Sequence, residues 1–265
     1  MRRLPAALAG AATAGIAERG LRRWSPPHPR WRRRNFRDRE VTLAGGPALA
    51  AGAAIGALAS GIAGGVPGPA LAAFAGAVLG AYDDLYGDEH ARGLAGHVGA
   101  LRQRRVTTGL VKLAGLTATG AAVSAVDGRR GRQLILDTAL IAGTANLVNL
   151  LDLRPGRALK VLACAAGVAS VARGPAGSAS AGLAGAAVAV LPSDLAERVM
   201  IGDCGANAAG ATLGACLAVG ANTVVKWAAL GLVVALTLGS ERVSFTDVIA
   251  GTPWLRRLDE WGRRP

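Results

Sequence analysis

Between Leu43 and Tyr82 the chain carries no Asp, Glu, Lys, Arg or His, a run about twice the ~20 apolar residues that one helix needs to cross a bilayer core. It predicts two crossings. Gly64-Gly65-Val66-Pro67-Gly68 supplies the break between them, because Gly and Pro punctuate helices. Comparable apolar windows follow at about 107–126, 133–151, 158–172, 174–191, 204–222 and 223–239, with a shorter one near 4–18. The pattern predicts an all-α polytopic integral membrane protein of roughly nine transmembrane helices, in a single domain covering residues 1–265. The windows are rich in Ala and Gly, which insert weakly but allow close helix-to-helix approach within lipid. A soluble α/β protein is the competing reading; it would alternate helices with Val- and Ile-rich strands and scatter charge over solvated faces.

The net charge of +13 does not point to nucleic acid, because the basic residues collect in the connections between windows. With the basic loop 19–42 in the cytoplasm, alternation puts the loop 83–106, the connections 152–157 and 192–203, and the tail 240–265 on the same side. The positive-inside rule expects this, while Arg129, Arg130 and Arg132 fall on the other side, against it. Met1-Arg2-Arg3 and the Ala-rich run after it resemble a signal peptide, but Ile16-Ala17-Glu18 leads straight into the basic loop, so a retained first span is expected. Cys164, Cys204 and Cys216 are odd in number and lack CxxC spacing, and His28, His90 and His97 form no pair at helical spacing. Neither disulfides nor zinc is predicted, and His90 and His97 are expected to be solvated.

Three acidic motifs stand at the rims of the apolar windows: Asp83-Asp84, Asn146 to Asp152, and Gly202 to Asn207. On the alternation above, all three lie on the cytoplasmic rim. Ionisable groups at such positions are costly and are functional candidates by default. Asp83, Asp84 and Asp152 sit where helices end, so the helix dipole opposes each by roughly 0.3–1 kcal/mol. For any one such Asp, stopping a span at the interface is the bland alternative, but for the set a bound divalent cation is the better account, since it reverses the local field. Asn146, Asn149 and Asp152 are three residues apart and form one polar stripe on a helix; helix-to-helix hydrogen bonding is the bland alternative. Asp203 and Asn207 share a face at the start of a window. Asp203 is either an N-cap or part of a phosphate cradle, with Gly202 and Gly205 letting backbone come close. Hard oxygen ligands, Gly-flanked backbone and a basic neighbouring loop describe a magnesium-diphosphate site.

Carried by these motifs, the chain resembles the polyprenyl-phosphate sugar-1-phosphate transferases (glycosyl transferase family 4), the membrane family that includes phospho-N-acetylmuramoyl-pentapeptide transferase. Asn35 to Gly46, with Val41-Thr42 and Gly45-Gly46, looks like the family's first cytoplasmic motif. Gly80 to Asp84 is similar to its paired-Asp motif, Asn146 to Asp152 to its Asn-rich motif, and Gly202 to Asn207 to its glycine-Asp-x-Gly motif. The resemblance covers nearly the whole chain. It implies transfer of a sugar 1-phosphate from a nucleotide-activated sugar, UDP-linked in expectation, to polyprenyl phosphate, with release of a nucleoside monophosphate, in cell-envelope glycan synthesis such as that of peptidoglycan.

The resemblance further implies a multi-pass cell-membrane enzyme with its active site facing the cytoplasm. Its catalytic and metal residues would be Asp83, Asp84 and Asp203, with Mg²⁺, or Mn²⁺ in its place. Its substrate-binding residues would be Asn35, Thr42, Lys112, Asn146, Asn149, Asp152 and Asn207, Lys112 holding the lipid phosphate as a point charge. A lipid bilayer and a second copy of the chain are the other expected partners. The family's second Asp after the position of Asp152 is replaced by Leu153-Arg154-Pro155-Gly156, its His-rich loop is replaced by the tail from Glu241 through Asp259, and the chain is short. A non-catalytic membrane scaffold or lipid binder, and a small-substrate transporter, stand as alternatives; the transporter would place its polar residues near mid-membrane.

Overall fold

A computed structural model describes residues 2–24, 29–61, 68–87 and 106–264. The turn at 64–67, His28, His90, His97 and most of the loop 83–106 lie outside the described residues. Each apolar window folds as a helix: α1 (Arg3–Trp24), α2 (Gly45–Ala59), α3 (Gly68–Tyr86), α4 (Thr108–Val126), α5 (Gly131–Leu151), α6 (Arg157–Ala169), α7 (Pro175–Leu195), α8 (Gly202–Gly220) and α9 (Thr223–Ser240). Two short helices, α10 (Phe245–Gly251) and α11 (Pro253–Glu260), complete the tail. Boundaries follow local chemistry. The Thr107 hydroxyl caps α4 by accepting from Leu110 N–H, and the Asn222 side chain caps α9 by accepting from Val225 N–H. Gly156, at φ 75°, turns the chain into α6.

The only described strands are β1 (Arg32–Arg34) and β2 (Glu40–Thr42), an antiparallel hairpin pairing Arg32 with Thr42 and Arg34 with Glu40. An alternating α/β protein is thereby excluded for the described residues. Among the described residues four helices, α4, α5, α7 and α9, are long and apolar enough to cross a membrane. The other windows fall short of that measure of length and hydropathy; α2 has 15 residues and α6 has 13. Exposed large apolar side chains such as Phe74, Val168, Trp227 and Leu238 suit a bilayer rather than water.

Helix α8 is the centre of the bundle, contacted by α2, α3, α5 and α7. Every residue from Cys204 to Cys216 is buried. Around it, α1 packs on α2 and α7, α6 on α7, α4 on α3 and α5, and α9 chiefly on α5. Small residues make this possible. A Cβ at Gly80 would overlap the backbone carbonyl of Asp203, and one at Gly76 would press on the backbone at Asn207 and Ala208. The spacing of Gly76 and Gly80 puts both on one face of α3, so that face lies directly on α8 and brings the Asp pair at its end against the start of α8.

Candidate functional site

Helix α8 begins at Gly202, whose φ of 55° turns the chain into the helix. No side chain of its own caps it. The cap comes from other helices. Asp203 N–H donates to Asp84 Oδ1 at 3.1 Å and Cys204 N–H to Asp84 Oδ2 at 2.9 Å, while the Asp152 carboxyl accepts from Gly202 N–H. Asp84, at the unfavourable end of its own helix, thus stands at the favourable N-terminus of another, where an anion gains about 0.3–1 kcal/mol and up to ~2 when partly buried; Asp152 stands there too, as the acceptor of the Gly202 N–H. The α8 N-terminus thus supplies, for Asp84 and Asp152, part of the favourable field that the sequence argument assigned to a cation. Burial, then the Asp194, Asp203 and Asp84 carboxylates, push the Asp152 carboxyl well above the usual carboxylate range, against the Gly202 hydrogen bond.

Asp83 and Asp203 have a different partner. Lys112, one turn into α4, places Nζ 2.6 Å from Asp83 Oδ2 and 2.5 Å from Asp203 Oδ2. The two carboxyl groups are themselves in hydrogen-bonding contact, and the Thr108 hydroxyl reaches Asp83. Asn207 is fully buried one turn further along α8, its Nδ2 donating to the Asp203 carbonyl at 2.8 Å. Its Oδ1 has no hydrogen-bond partner, an unusual state for a buried acceptor. Asn146 and Asn149 are half-buried on α5, without side-chain hydrogen bonds among the described residues.

The hairpin fastens under this end of the bundle. Thr42 bridges Val199 in parallel pairing and its carbonyl accepts from Met200 N–H at 2.8 Å, while its hydroxyl accepts from Ala44 N–H at 3.3 Å. Asn35 Nδ2 donates to Glu197 Oε2 at 2.6 Å, and its Oδ1 accepts from Arg37 N–H and Arg39 N–H. Both predicted substrate residues are thus engaged by the protein itself, and neither meets the Lys112 cluster. Sequence reasoning missed Glu197, which also pairs with Arg37 at 3.1 Å and Arg39 at 3.7 Å. It missed Asp194, whose Oδ2 accepts from Gly156 N–H at 2.5 Å, and Arg33, which donates to the Asp84 carbonyl. Glu197 stands in a short polar turn with nothing periodic to mark it, and its φ of 53° is visible only in the fold.

Magnesium takes one or two carboxylates together with substrate phosphates and water. Asp83 and Asp203 converge on a single cationic nitrogen, so their oxygens already face one point of positive charge. Asp84, the third of the expected metal residues, turns to the start of α8, where each of its oxygens accepts one backbone N–H. No group of three or more His, Cys, Asp or Glu among the described residues is arranged to hold a metal. The convergence of Asp83 and Asp203 fits a magnesium ion held by two protein carboxylates. No protein-family model matches the chain, and no curated protein matches it.

Proposed function

We propose that this protein is a polytopic membrane transferase, of roughly nine crossings, that moves a sugar 1-phosphate from a nucleotide-activated sugar to polyprenyl phosphate on the cytoplasmic side. The supporting observation is the convergence of Asp83, Lys112 and Asp203 from three helices beside an α8 N-terminus capped by Asp84 and Asp152. A helix N-terminus and an ammonium favour phosphate, and the paired carboxylates favour a divalent ion.

In this reading Asp83 and Asp203 would hold Mg²⁺, which would supply charge neutralisation at the donor diphosphate. Lys112 then turns to the lipid phosphate and orients its attacking oxygen. That oxygen forms a bond to the sugar-bearing phosphorus, the bond to the bridging oxygen breaks, and the nucleoside monophosphate leaves with its charge. Alignment and charge neutralisation dominate such transfers. Asn146, Asn149 and the unpartnered Asn207 Oδ1 are the remaining polar contacts for the donor, and Asp84 and Asp152 position α8.

A non-catalytic role has one observation in its favour: Lys112 already supplies the counter-charge that a metal would bring. The test is nucleoside monophosphate release by detergent-purified protein given polyprenyl phosphate, Mg²⁺ and a panel of nucleotide-activated sugars. Lipid- and magnesium-dependent release that falls by about 10²-fold or more in Asp203→Asn supports the transferase. Silence across the panel from folded protein supports the non-catalytic role.

A further inference from the structure

Beside the candidate site, the tail folds back onto the start of α6. Arg157 Nε and Nη2 donate to the two carboxylate oxygens of Asp259 at 2.8 and 3.0 Å, and Arg263 lies 2.7 Å from the same carboxylate. Lys160 Nζ donates to the carbonyls of Leu258 and Asp259, and Arg263 Nε to that of Pro155 at 2.8 Å. Docking in this way walls a cleft of about 430 Å³, within the size range of small-ligand sites. Six arginines line it against two carboxylates; Asp259 is already taken by Arg157 and Arg263, and Arg37 by Glu197 outside the lining, so the excess rests on Arg154, Arg256 and Arg264.

The cationic excess is felt inside the cleft. Burial first, then the Arg157 and Arg263 charges, lower the Arg154 guanidinium from its ordinary value. Arg154 is stacked 4.5 Å above the Phe36 ring, and both residues also line the smaller cavity that contains Asp152, Asp194 and Glu197. Arg256 and Arg264 are exposed on the cleft's wall. Guanidinium groups that face a common space with too few carboxylates match phosphate, which accepts their N–H groups in pairs.

We infer that this arginine-lined cleft between α6 and the tail is a binding site for a phosphorylated anion, either a soluble diphosphate or the phosphate headgroup of an anionic lipid. It goes beyond the transfer reading and does not depend on it, since the cleft uses none of Asp83, Lys112 and Asp203.

The test is calorimetric titration of the full chain, in nanodiscs of zwitterionic lipid and with a chelator present, using inorganic pyrophosphate as the probe. Saturable binding is expected, weakened about tenfold or more by Arg256→Gln and by Arg264→Gln, the range for a lost charged hydrogen bond. Arg257→Gln is the control: it removes the same charge from the helix that carries Arg256, outside the cleft, and is expected to change affinity less than about twofold. All three substitutions fall on exposed side chains, and matching melting curves verify folding. Competition by a nucleoside diphosphate identifies the soluble source; loss of pyrophosphate binding in phosphatidylglycerol discs, without nucleotide competition, identifies the lipid. Absence of saturable binding in folded protein, or an equal loss in Arg257→Gln, overturns the inference.

Discussion

Helices α8 and α9 are consecutive in the chain and nearly equal in length, 19 and 18 residues, yet they occupy opposite environments. Helix α8 is buried along most of its length, whereas only Lys226 and Val233 are buried on α9. Hydropathy ranks them the other way, since α9 is among the four helices apolar enough to cross a membrane and α8 is not. In a bundle of this kind, large apolar side chains face outward, where lipid accepts them. The central positions go to Gly and Ala, whose backbones can touch. The two helices are also anchored differently: α8 by backbone proximity and carboxylates at its N-terminus, α9 by a buried ion pair between Lys226 and Asp137 at 2.8 Å, with Arg129 3.6 Å from the same carboxylate.

Breaking the anchor of α9 carries the largest expected effect. Lys226→Ala leaves Asp137 buried with only the more distant Arg129, and is expected to lower stability by about 3–5 kcal/mol, measured by unfolding in mixed micelles. Joining Lys226→Met to Asp137→Leu removes both charges and should recover most of that loss; a double variant as unstable as the single one would show that α9 is held by something else.

The anchor of α8 is steric. Gly80→Val drives a side chain into the Asp203 backbone and is expected to cost about 1–3 kcal/mol. Gly231→Val on α9, where nothing lies within 4 Å, should stay within about 0.5 kcal/mol. Equal melting temperatures for the two would contradict the assignment of α8 to the core.

A smaller effect concerns the cap. Asp84→Ala strips the Asp203 and Cys204 N–H groups of their acceptor, for about 1–2 kcal/mol, and hydrogen exchange should accelerate in the first turn of α8. Asp84→Asn keeps one acceptor and should lie between that variant and the parent.

The smallest effect is on the tail that follows α9. Burial works to raise the Asp259 carboxyl, but the hydrogen bonds and charge of Arg157, joined by Arg263, prevail and hold it below the usual carboxylate range. A carboxylate with a depressed folded value stabilises above its unfolded value of about 4, and that contribution is lost as pH falls below it. Protection factors across 253–260, corrected for the intrinsic slowing of amide exchange in acid, should therefore fall as pH drops below about 4 and through the depressed folded value, and Asp259→Asn should abolish that fall. An unchanged profile would mean that the Arg157 pair does not dock the tail.

Much of this was legible before folding. The nine apolar windows and nine of the described helices agree to within several residues at each end, because charge exclusion and Gly or Pro breaks are local properties. Alternation led to the expectation that Asp83, Asp84, Asp152 and Asp203 share one rim; in the structure Asp84 and Asp152 accept N–H groups at the α8 start, and Lys112 joins Asp83 to Asp203. The division of labour among them was not legible. Asp83 and Asp84 are adjacent in sequence, yet one meets Lys112 and the other caps α8, since a helical step of about 100° sends neighbouring side chains in different directions. Glu197 and Asn35 are partners across the α7–α8 turn and the hairpin, a pairing that no periodicity announces.

By itself, the sequence determined how many apolar helices form, where they end and which charges lie at their rims. Hydropathy and turn chemistry act over a few residues and need no partner. Tertiary structure alone decided that the Gly- and Ala-rich α8 is central, that its N-terminus is capped in trans, and that Lys112 joins Asp83 to Asp203. These depend on how closely backbones approach, and that distance is set jointly by small residues on two helices far apart in the chain.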